Sequence, residues 1–289
     1  MSPALPQLIP KFSVLAAEYD VVLCDVWGVL HNGLTVFAHA CDALMRARAR
    51  GSVVVLITNA PRPSEQVTRQ LERLHLPREV YDAIVSSGDV TRSIIAQRHG
   101  QTLYHLGPER DRSIFSGCKV TFAPPETADY VVCTGLENDE IETPEDYRAR
   151  LEAMLARRLF MLCGNPDVVV ERGSTLVYCA GAIADLYATM GGSVLYAGKP
   201  YRPIYDMALA KAEAAAGRKA PLARVLAIGD SVRTDLKGAR TVGIDFLFVT
   251  SGIHAEELGS RESPDTEALT ATFVAAGGMP KAVMRELSW

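Results

Sequence analysis

Residues 19–33 read YDVVLCDVWGVLHNG and contain an apolar run that stops at Asp25 just before a glycine-containing turn, the pattern of a buried parallel strand. In an open parallel sheet, ligands bind at the carboxyl ends of the strands, which is where such a residue lies. Asp, Asn and Gly also follow strands as ordinary turn and N-cap residues. Asp25 is therefore a candidate functional carboxylate. Whether a functional role or a turn role explains it better depends on the rest of the chain.

Polar side chains also follow two later apolar runs, and a lysine lies between those two runs in the sequence. They are Thr58 and Asn59 after VVVLI, Lys199 within AGKP, and Asp230 and Asp235 within VLAIGDSVRTD. Each has an ordinary explanation when taken alone: a strand-end hydroxyl bonded to its own backbone, a solvated loop lysine, or a helix carboxylate paired with a neighbouring base. Together with Asp25, and in this order, they predict an anion and metal site.

Apolar β-branched runs alternate with helical patterns along the chain, which predicts an α/β fold with a doubly wound, Rossmann-like parallel sheet and right-handed crossovers. The predicted strands are 21–26, 53–58, 84–87, 102–106, 129–136, 159–163, 194–197, 225–228 and 246–249. The predicted helices are 38–49, 64–74, 89–98, 144–158 (opened by Thr143), 181–190, 204–216 and 234–241.

The ordered set of polar residues resembles the four motifs of the haloacid dehalogenase (HAD) superfamily of phosphohydrolases. Asp25 matches the nucleophile motif, Thr58 the second motif, Lys199 the third, and Asp230 with Asp235 the metal-binding fourth. The long interval between the second and third motifs is similar to that of the class IIA (NagD-like) capped phosphatases.

This resemblance implies a HAD-like catalytic core formed by residues 1–79 and 196–289, with an inserted α/β cap domain at 80–195. A cap that closes over the cleft excludes water and selects the leaving group. Asn165 and Asp167 are candidates for facing that cleft, although an Asn-Pro-Asp turn is the commoner explanation for such residues.

The resemblance also implies a Mg²⁺ cofactor. In the family pattern its ligands are the Asp25 carboxylate, the backbone carbonyl of the residue that is Trp27 here, Asp230, and Asp235 through water. Mg²⁺ is a hard cation that prefers oxygen ligands, and this set consists of oxygens.

The phosphate group is expected to contact four residues. Lys199 supplies a positive charge, the Thr58 hydroxyl donates a hydrogen bond, Asn59 lies beside it, and Gly28 allows the backbone to come close to phosphate. Asp25, Thr58 and Lys199 are thus the predicted catalytic residues, and the expected partner is a small phosphorylated metabolite.

Trp27 is the main departure from the family pattern. In phosphatases of the superfamily the residue two after the nucleophile is usually a second Asp, which protonates the leaving alcohol and then activates water. The indole N–H is only a donor and performs neither transfer. His31, in the HNG segment, is a candidate substitute acid/base, and shaping the turn is its alternative role.

Three functions remain open at this point. The first is a Mg²⁺-dependent phosphatase that acts on a small ester, such as a sugar phosphate or nucleotide, through an aspartyl-phosphate on Asp25. The second is a weakly active or non-catalytic phosphate-ligand binding protein, because Trp27 replaces the acid/base. The third is a related transfer or C–P cleavage enzyme.

Composition excludes several other classes. The formal net charge of −4 and the absence of a basic stripe argue against nucleic acid as a partner. No apolar run is long enough to cross a bilayer, and no secretory signal is recognised, so we expect a cytoplasmic protein without a membrane partner. The six cysteines form no Cys-x-x-Cys pair and indicate neither a zinc site nor a disulfide framework. The sequence does not decide the oligomeric state, and a homo-oligomer is one of the open alternatives.

Overall fold

The computed structural model describes residues 7–172, 175–252 and 265–289. These residues form two compact units. The first unit comprises the described residues up to Thr58, Thr68–Val85 and the described residues from Tyr205 onward, and the second comprises Asn59–Val67 and Ser86–Ile204.

The two units divide the chain near the predicted domain boundaries but not at them. Residues 59–67 and 196–204, which the sequence assigned to the core, belong to the second unit. The assignment of 80–195 as an inserted cap domain stays a prediction.

The strands of the described residues are given in chain order. They are β1 (Gln7–Leu8), β2 (Val21–Asp25), β3 (Val53–Thr58), β4 (Ala83–Ser86), β5 (Thr102–Leu106), β6 (Thr121–Phe122), β7 (Tyr130–Cys133), β8 (Phe160–Cys163), β9 (Val169–Arg172), β10 (Thr175–Tyr178), β11 (Val194–Tyr196), β12 (Val225–Gly229), β13 (Asp245–Val249) and β14 (Ala282–Met284).

The α-helices of the same residues are also given in chain order. They are α1 (Ala38–Ala49), α2 (Ser64–Arg73), α3 (Ser87–Ala96), α4 (Arg148–Ala156), α5 (Ala180–Thr189), α6 (Arg202–Ala216), α7 (Lys237–Val242) and α8 (Thr266–Ala275).

The large sheet has the strand order β1-β14-β13-β12-β2-β3-β4, and the pairs from β1 through β3 run parallel. All five residues of β2 are buried. Such a continuous apolar strand is typical of a parallel sheet covered on both faces. The apolar face of α1, which includes Leu44 and Ala47, is also fully buried. The predicted α/β class with a parallel sheet is confirmed.

The second unit contains a parallel sheet of strand order β11-β8-β7-β5-β6 and an antiparallel hairpin formed by β9 and β10. Helices α4 and α5 contribute Leu151, Met154, Ile183 and Tyr187 to the buried cluster that covers this sheet. The unit therefore has its own apolar core, as expected for a separate α/β module.

Several elements begin or end where local chemistry, rather than apolar periodicity, sets the limit. Helix α3 starts two residues before the predicted 89–98 because the Ser86 hydroxyl accepts the Asp89 N–H at 3.0 Å and Asp89 accepts the Ser86 N–H at 3.1 Å. The predicted helix 234–241 begins as a π-helical turn, Val232–Leu236, and α7 then ends at Val242, capped by Gly243, whose φ is +81°.

Within the described residues, no helix has both the length and the apolar character needed to span a bilayer. The six cysteines all lie in the described part of the chain and form no disulfide. This agrees with the prediction that they are not a disulfide framework.

Candidate active site

Asp25 is the last residue of β2, between β3 and β12 in the sheet. Its side chain is buried, and Oδ1 accepts the Val26 N–H at 2.7 Å. Because the neighbouring strands run parallel, their carboxyl ends meet at the same edge of the sheet as Asp25. The sheet topology thus positions Asp25 where the sequence predicted a functional carboxylate.

Two more carboxylates reach this edge from the segment after β12. Asp230 directly follows the strand, and Asp235 lies in the π-helical turn, where its Oδ2 accepts the Ser231 N–H at 3.1 Å. One oxygen from each of Asp25, Asp230 and Asp235 lies within 4.8 Å of the others, and all three residues are buried. The three carboxylates among the predicted metal ligands therefore lie together in the structure, and the Trp27 carbonyl stays a predicted ligand.

Electrostatics favour a cation among these groups. At an effective dielectric constant of about 20, two carboxylates 4.8 Å apart repel by roughly 3 kcal/mol, and the cluster contains three such pairs. A divalent ion removes this repulsion, and a set of carboxylate oxygens suits a hard ion such as Mg²⁺. The residues present fit the metal that the family resemblance implies.

Glycines enclose two of the carboxylates so closely that no side chain fits at their positions. A Cβ at Gly28 would lie 2.1 Å from Asp230 Oδ2, and a Cβ at Gly252 would lie 2.0 Å from the same oxygen. A Cβ at Gly229 would lie 2.3 Å from Asp235 Cγ. Asp230 and Asp235 thus occupy the space that a Cβ would need at these positions, and at Gly28 the φ of +82° favours glycine as well.

Thr58 ends β3 beside Asp25, since Asp25 is paired in register with the preceding residue, Ile57. Thr58 is buried at the same edge of the sheet. The predicted phosphate-binding hydroxyl is thus in the same unit as the carboxylates.

Trp27 and His31 form a packed pair in the turn after β2. Their rings make an edge contact with centroids 5.0 Å apart, and a Cβ at Gly33 would lie 2.7 Å from the Trp27 ring. His31 is 1% exposed, and its Nδ1 accepts the Gly33 N–H at 2.8 Å. Burial lowers the pKa of His31 to about 4, so the imidazole is neutral at neutral pH. These features fit a turn-shaping role, the alternative to an acid/base.

Asn59 and Lys199 are both buried and contact each other within the second unit. The Asn59 side-chain amide accepts the Lys199 backbone N–H at 2.7 Å and donates to the Lys199 carbonyl at 3.1 Å. Phosphate binding by the Lys199 side chain stays a prediction.

The 165–167 segment forms the Asn-Pro-Asp turn that the sequence suggested, in which Asn165 Oδ1 accepts the Asp167 N–H at 3.1 Å. Asp167 also accepts a hydrogen bond from Asn59 Nδ2 at 2.9 Å. Sequence reasoning missed this contact and the role of Gly252. Gly252 could have been recognised in the same way as the predicted residues, because it comes shortly after a buried apolar strand, β13.

Models of two families match the chain. The model of haloacid dehalogenase-like hydrolases matches residues 22–121, and a model of HAD-like hydrolases matches residues 196–276. The two matches include Asp25, Thr58, Lys199, Asp230 and Asp235.

Proteins of similar sequence or structure include a haloacid dehalogenase-like hydrolase and two proteins named as phosphatases. A crystal structure of a haloacid dehalogenase-like hydrolase from Brucella suis 1330 is 44% identical, covers 97% of this chain and 100% of that chain, and superposes with a TM-score of 0.87. A protein named acid sugar phosphatase from Staphylococcus aureus (strain USA300) is 26% identical over 252 residues, which are 86% of this chain and 93% of the relative.

The structure of 4-nitrophenylphosphatase from Thermotoga maritima shares the fold at 21% identity, with 93% of this chain and 95% of that chain covered and a TM-score of 0.68. The resemblance seen in the motifs is confirmed. The chain belongs to the haloacid dehalogenase-like hydrolases.

Proposed function

We propose that this hydrolase is a Mg²⁺-dependent phosphatase that acts on a small phosphate ester, such as a sugar phosphate or nucleotide. The observation that carries the proposal is the buried cluster of Asp25, Asp230 and Asp235 at the carboxyl edge of the sheet. The name of the Staphylococcus aureus relative, acid sugar phosphatase, supports a sugar phosphate as the substrate class.

Asp25 is the proposed nucleophile. One of its oxygens attacks the phosphorus in line, a new O–P bond forms, and the bond from phosphorus to the leaving oxygen breaks. Water then cleaves the aspartyl-phosphate and releases inorganic phosphate. Splitting the displacement into two steps in this way lowers the barrier of each.

The other proposed residues offset charge. Asp25, Asp230, Asp235 and the Trp27 carbonyl would hold Mg²⁺, which, when bound, neutralises charge between the attacking carboxylate and the phosphate. The Thr58 hydroxyl and the Lys199 ammonium bind phosphate oxygens, and Gly28 leaves space for the phosphate beside the backbone.

Because Trp27 stands where the family pattern has the second Asp, no acid at this position protonates the oxygen of the leaving group. The indole does not transfer protons at neutral pH, and His31 is neutral, buried and engaged with Gly33. General acid–base catalysis contributes roughly a hundredfold to ten-thousandfold in rate. We therefore expect turnover well below that of a phosphatase with a second Asp.

Replacing this tryptophan tests the explanation. Trp27→Asp should raise kcat for an alkyl phosphate by about tenfold to a hundredfold, because a carboxyl group at this position protonates the leaving oxygen. Trp27→Asn, which has the shape of Asp but no titrating group, is the control and should give no increase. Equal rates for the two variants would show that the missing acid does not limit turnover.

A second candidate function is that of a phosphate-ligand binding protein with little or no activity. The packing of Trp27 against His31 and Gly33 favours it, because the indole is an integral part of the turn after the nucleophile. This function predicts that the protein binds phosphorylated metabolites with Mg²⁺ but releases no phosphate from any of them.

Screening a panel of sugar phosphates, nucleotides and an activated aryl phosphate separates the two functions. Inorganic phosphate released in the presence of Mg²⁺ is the measured quantity. Mg²⁺-dependent release, ranked by substrate, is the result expected of the phosphatase. Tight binding without release from any member supports the binding protein.

A further inference from the structure

The side chain of Asn59 is used entirely to hold other parts of the second unit. Its Nδ2 donates to Asp167 Oδ1 at 2.9 Å and to the Lys199 carbonyl at 3.1 Å, and its Oδ1 accepts the Lys199 N–H at 2.7 Å. An Asn amide has two donor hydrogens, and these contacts use both. Any contact of Asn59 with a phosphate oxygen would therefore have to use its backbone N–H.

The pairing with Lys199 fixes that residue at both of its backbone polar groups, as a neighbouring β-strand would. Asn59 and Lys199 are each 2% exposed, so water does not compete for these hydrogen bonds. The direction in which a lysine side chain leaves the backbone follows from the backbone's own position. Fixing the peptide of Lys199 therefore limits where its ammonium can lie.

The contact is also closely packed. A Cβ at Gly198 would lie 2.3 Å from Asn59 Oδ1 and 2.8 Å from Pro166 Cδ. The turn that carries Lys199, the amide of Asn59 and the turn that carries Asp167 thus fit together without spare volume. Asp167 in turn fixes the amide, because its carboxylate accepts only and so orients Nδ2 toward itself.

We propose that Asn59 and Asp167 are positioning residues that hold Lys199 for phosphate binding. Asn59 acts through the backbone of Lys199, and Asp167 acts through Asn59. The inference rests on the proposed function, in which the Lys199 ammonium binds the substrate phosphate. It adds that the 165–167 turn of the inserted segment contributes to phosphate affinity without touching phosphate.

Asn59→Asp tests the proposal because it keeps the shape and the acceptor but removes both donors. With Mg²⁺ present, the affinity for inorganic phosphate, measured by titration calorimetry, should fall by about tenfold to a hundredfold, the effect of losing two buried hydrogen bonds. The affinity for Mn²⁺, measured by electron paramagnetic resonance, should stay unchanged, since the Asn59 amide hydrogen-bonds Asp167 and Lys199 and none of the three clustered carboxylates. A purely structural role for Asn59 would lower both affinities together.

The exchange variant Asn59→Asp with Asp167→Asn restores one hydrogen bond with donor and acceptor reversed. Its phosphate affinity should lie between those of Asn59→Asp and the wild type. Asn138→Asp is the matched control, because Asn138 is exposed and its Oδ1 still accepts the Glu140 N–H after the change. We expect it to bind phosphate like the wild type.

The possible results separate this inference from the proposed function. A wild type that binds no phosphate overturns the proposed function and this inference with it. A wild type that binds phosphate, with a folded Asn59→Asp of equal affinity, overturns only the inference. If Asn59→Asp does not fold, the exchange variant decides: reduced phosphate affinity with unchanged Mn²⁺ affinity supports the inference, and wild-type affinity for both overturns it.

Discussion

Asp25→Asn should lower phosphate release from an activated aryl phosphate by roughly a thousandfold or more, because the amide that replaces the carboxylate is a poor nucleophile. The aryl ester is the right substrate for this test, since a phenolate leaves without a proton donor and Trp27 supplies none. The measurement is the initial rate of phosphate release at saturating Mg²⁺, for wild type and variant side by side.

Asp42→Asn is the matched control for this variant. Asp42 lies on α1 in an exposed ion pair with Arg46, where the loss of one charge changes little. We expect the control to retain the wild-type rate. Retention of the wild-type rate by a folded Asp25→Asn would assign the attack to another group and contradict the proposed mechanism.

Asp230→Asn should separate metal binding from stability. The affinity for Mn²⁺ should fall on the order of a hundredfold, because one of three clustered carboxylates is neutralised beside the ion. In the metal-free protein the same change should raise Tm, since it removes part of the repulsion within the cluster, roughly 3 kcal/mol for each pair. The loss of metal affinity should also reduce Mg²⁺-dependent phosphate release.

Metal titration of thermal unfolding provides the comparison. A site that binds Mg²⁺ only in the folded state gains about 2.7 kcal/mol at a hundredfold excess over its Kd, so the wild-type Tm should rise with Mg²⁺. The Tm of Asp230→Asn should respond much less at the same Mg²⁺ concentration. A variant that is less stable without metal and equally responsive to Mg²⁺ would show that Asp230 supports the fold rather than the ion.

Much of the candidate site was predictable because parallel strands place their carboxyl ends at one edge. Asp25 and Asp230 each follow an apolar run, so recognising the two strands was enough to bring both carboxylates together. Asp235 followed from the family motif, and the structure adds the turn that places it near the other two.

Other features depend on contacts that no local pattern encodes. Asn59 and Asp167 are far apart in the chain, and either residue alone reads as an ordinary turn or strand-end residue. The hairpin of β9 and β10 and the strands β1, β6 and β14 were not predicted, and β1 and β6 are too short, at two residues each, to show a period. The helix α8 was not predicted either.

Boundaries were harder to predict than elements. Helix α1 and strand β3 have their predicted limits, whereas α3 begins at a side-chain cap and α7 follows a π-helical turn. Periodicity reports which residues face the core. The last turn of a helix, by contrast, depends on single hydrogen bonds, which periodicity does not reveal.

The fluorine resonance of a fluoroberyllate adduct shows whether Asp25 is the nucleophile, because this phosphoryl mimic bonds to the carboxylate that attacks phosphorus. With Mg²⁺ present, we predict a bound resonance for the wild type and none for Asp25→Asn. A bound resonance that persists in Asp25→Asn, or none in a wild type shown to bind the metal, would contradict the claim that Asp25 is a metal-assisted nucleophile.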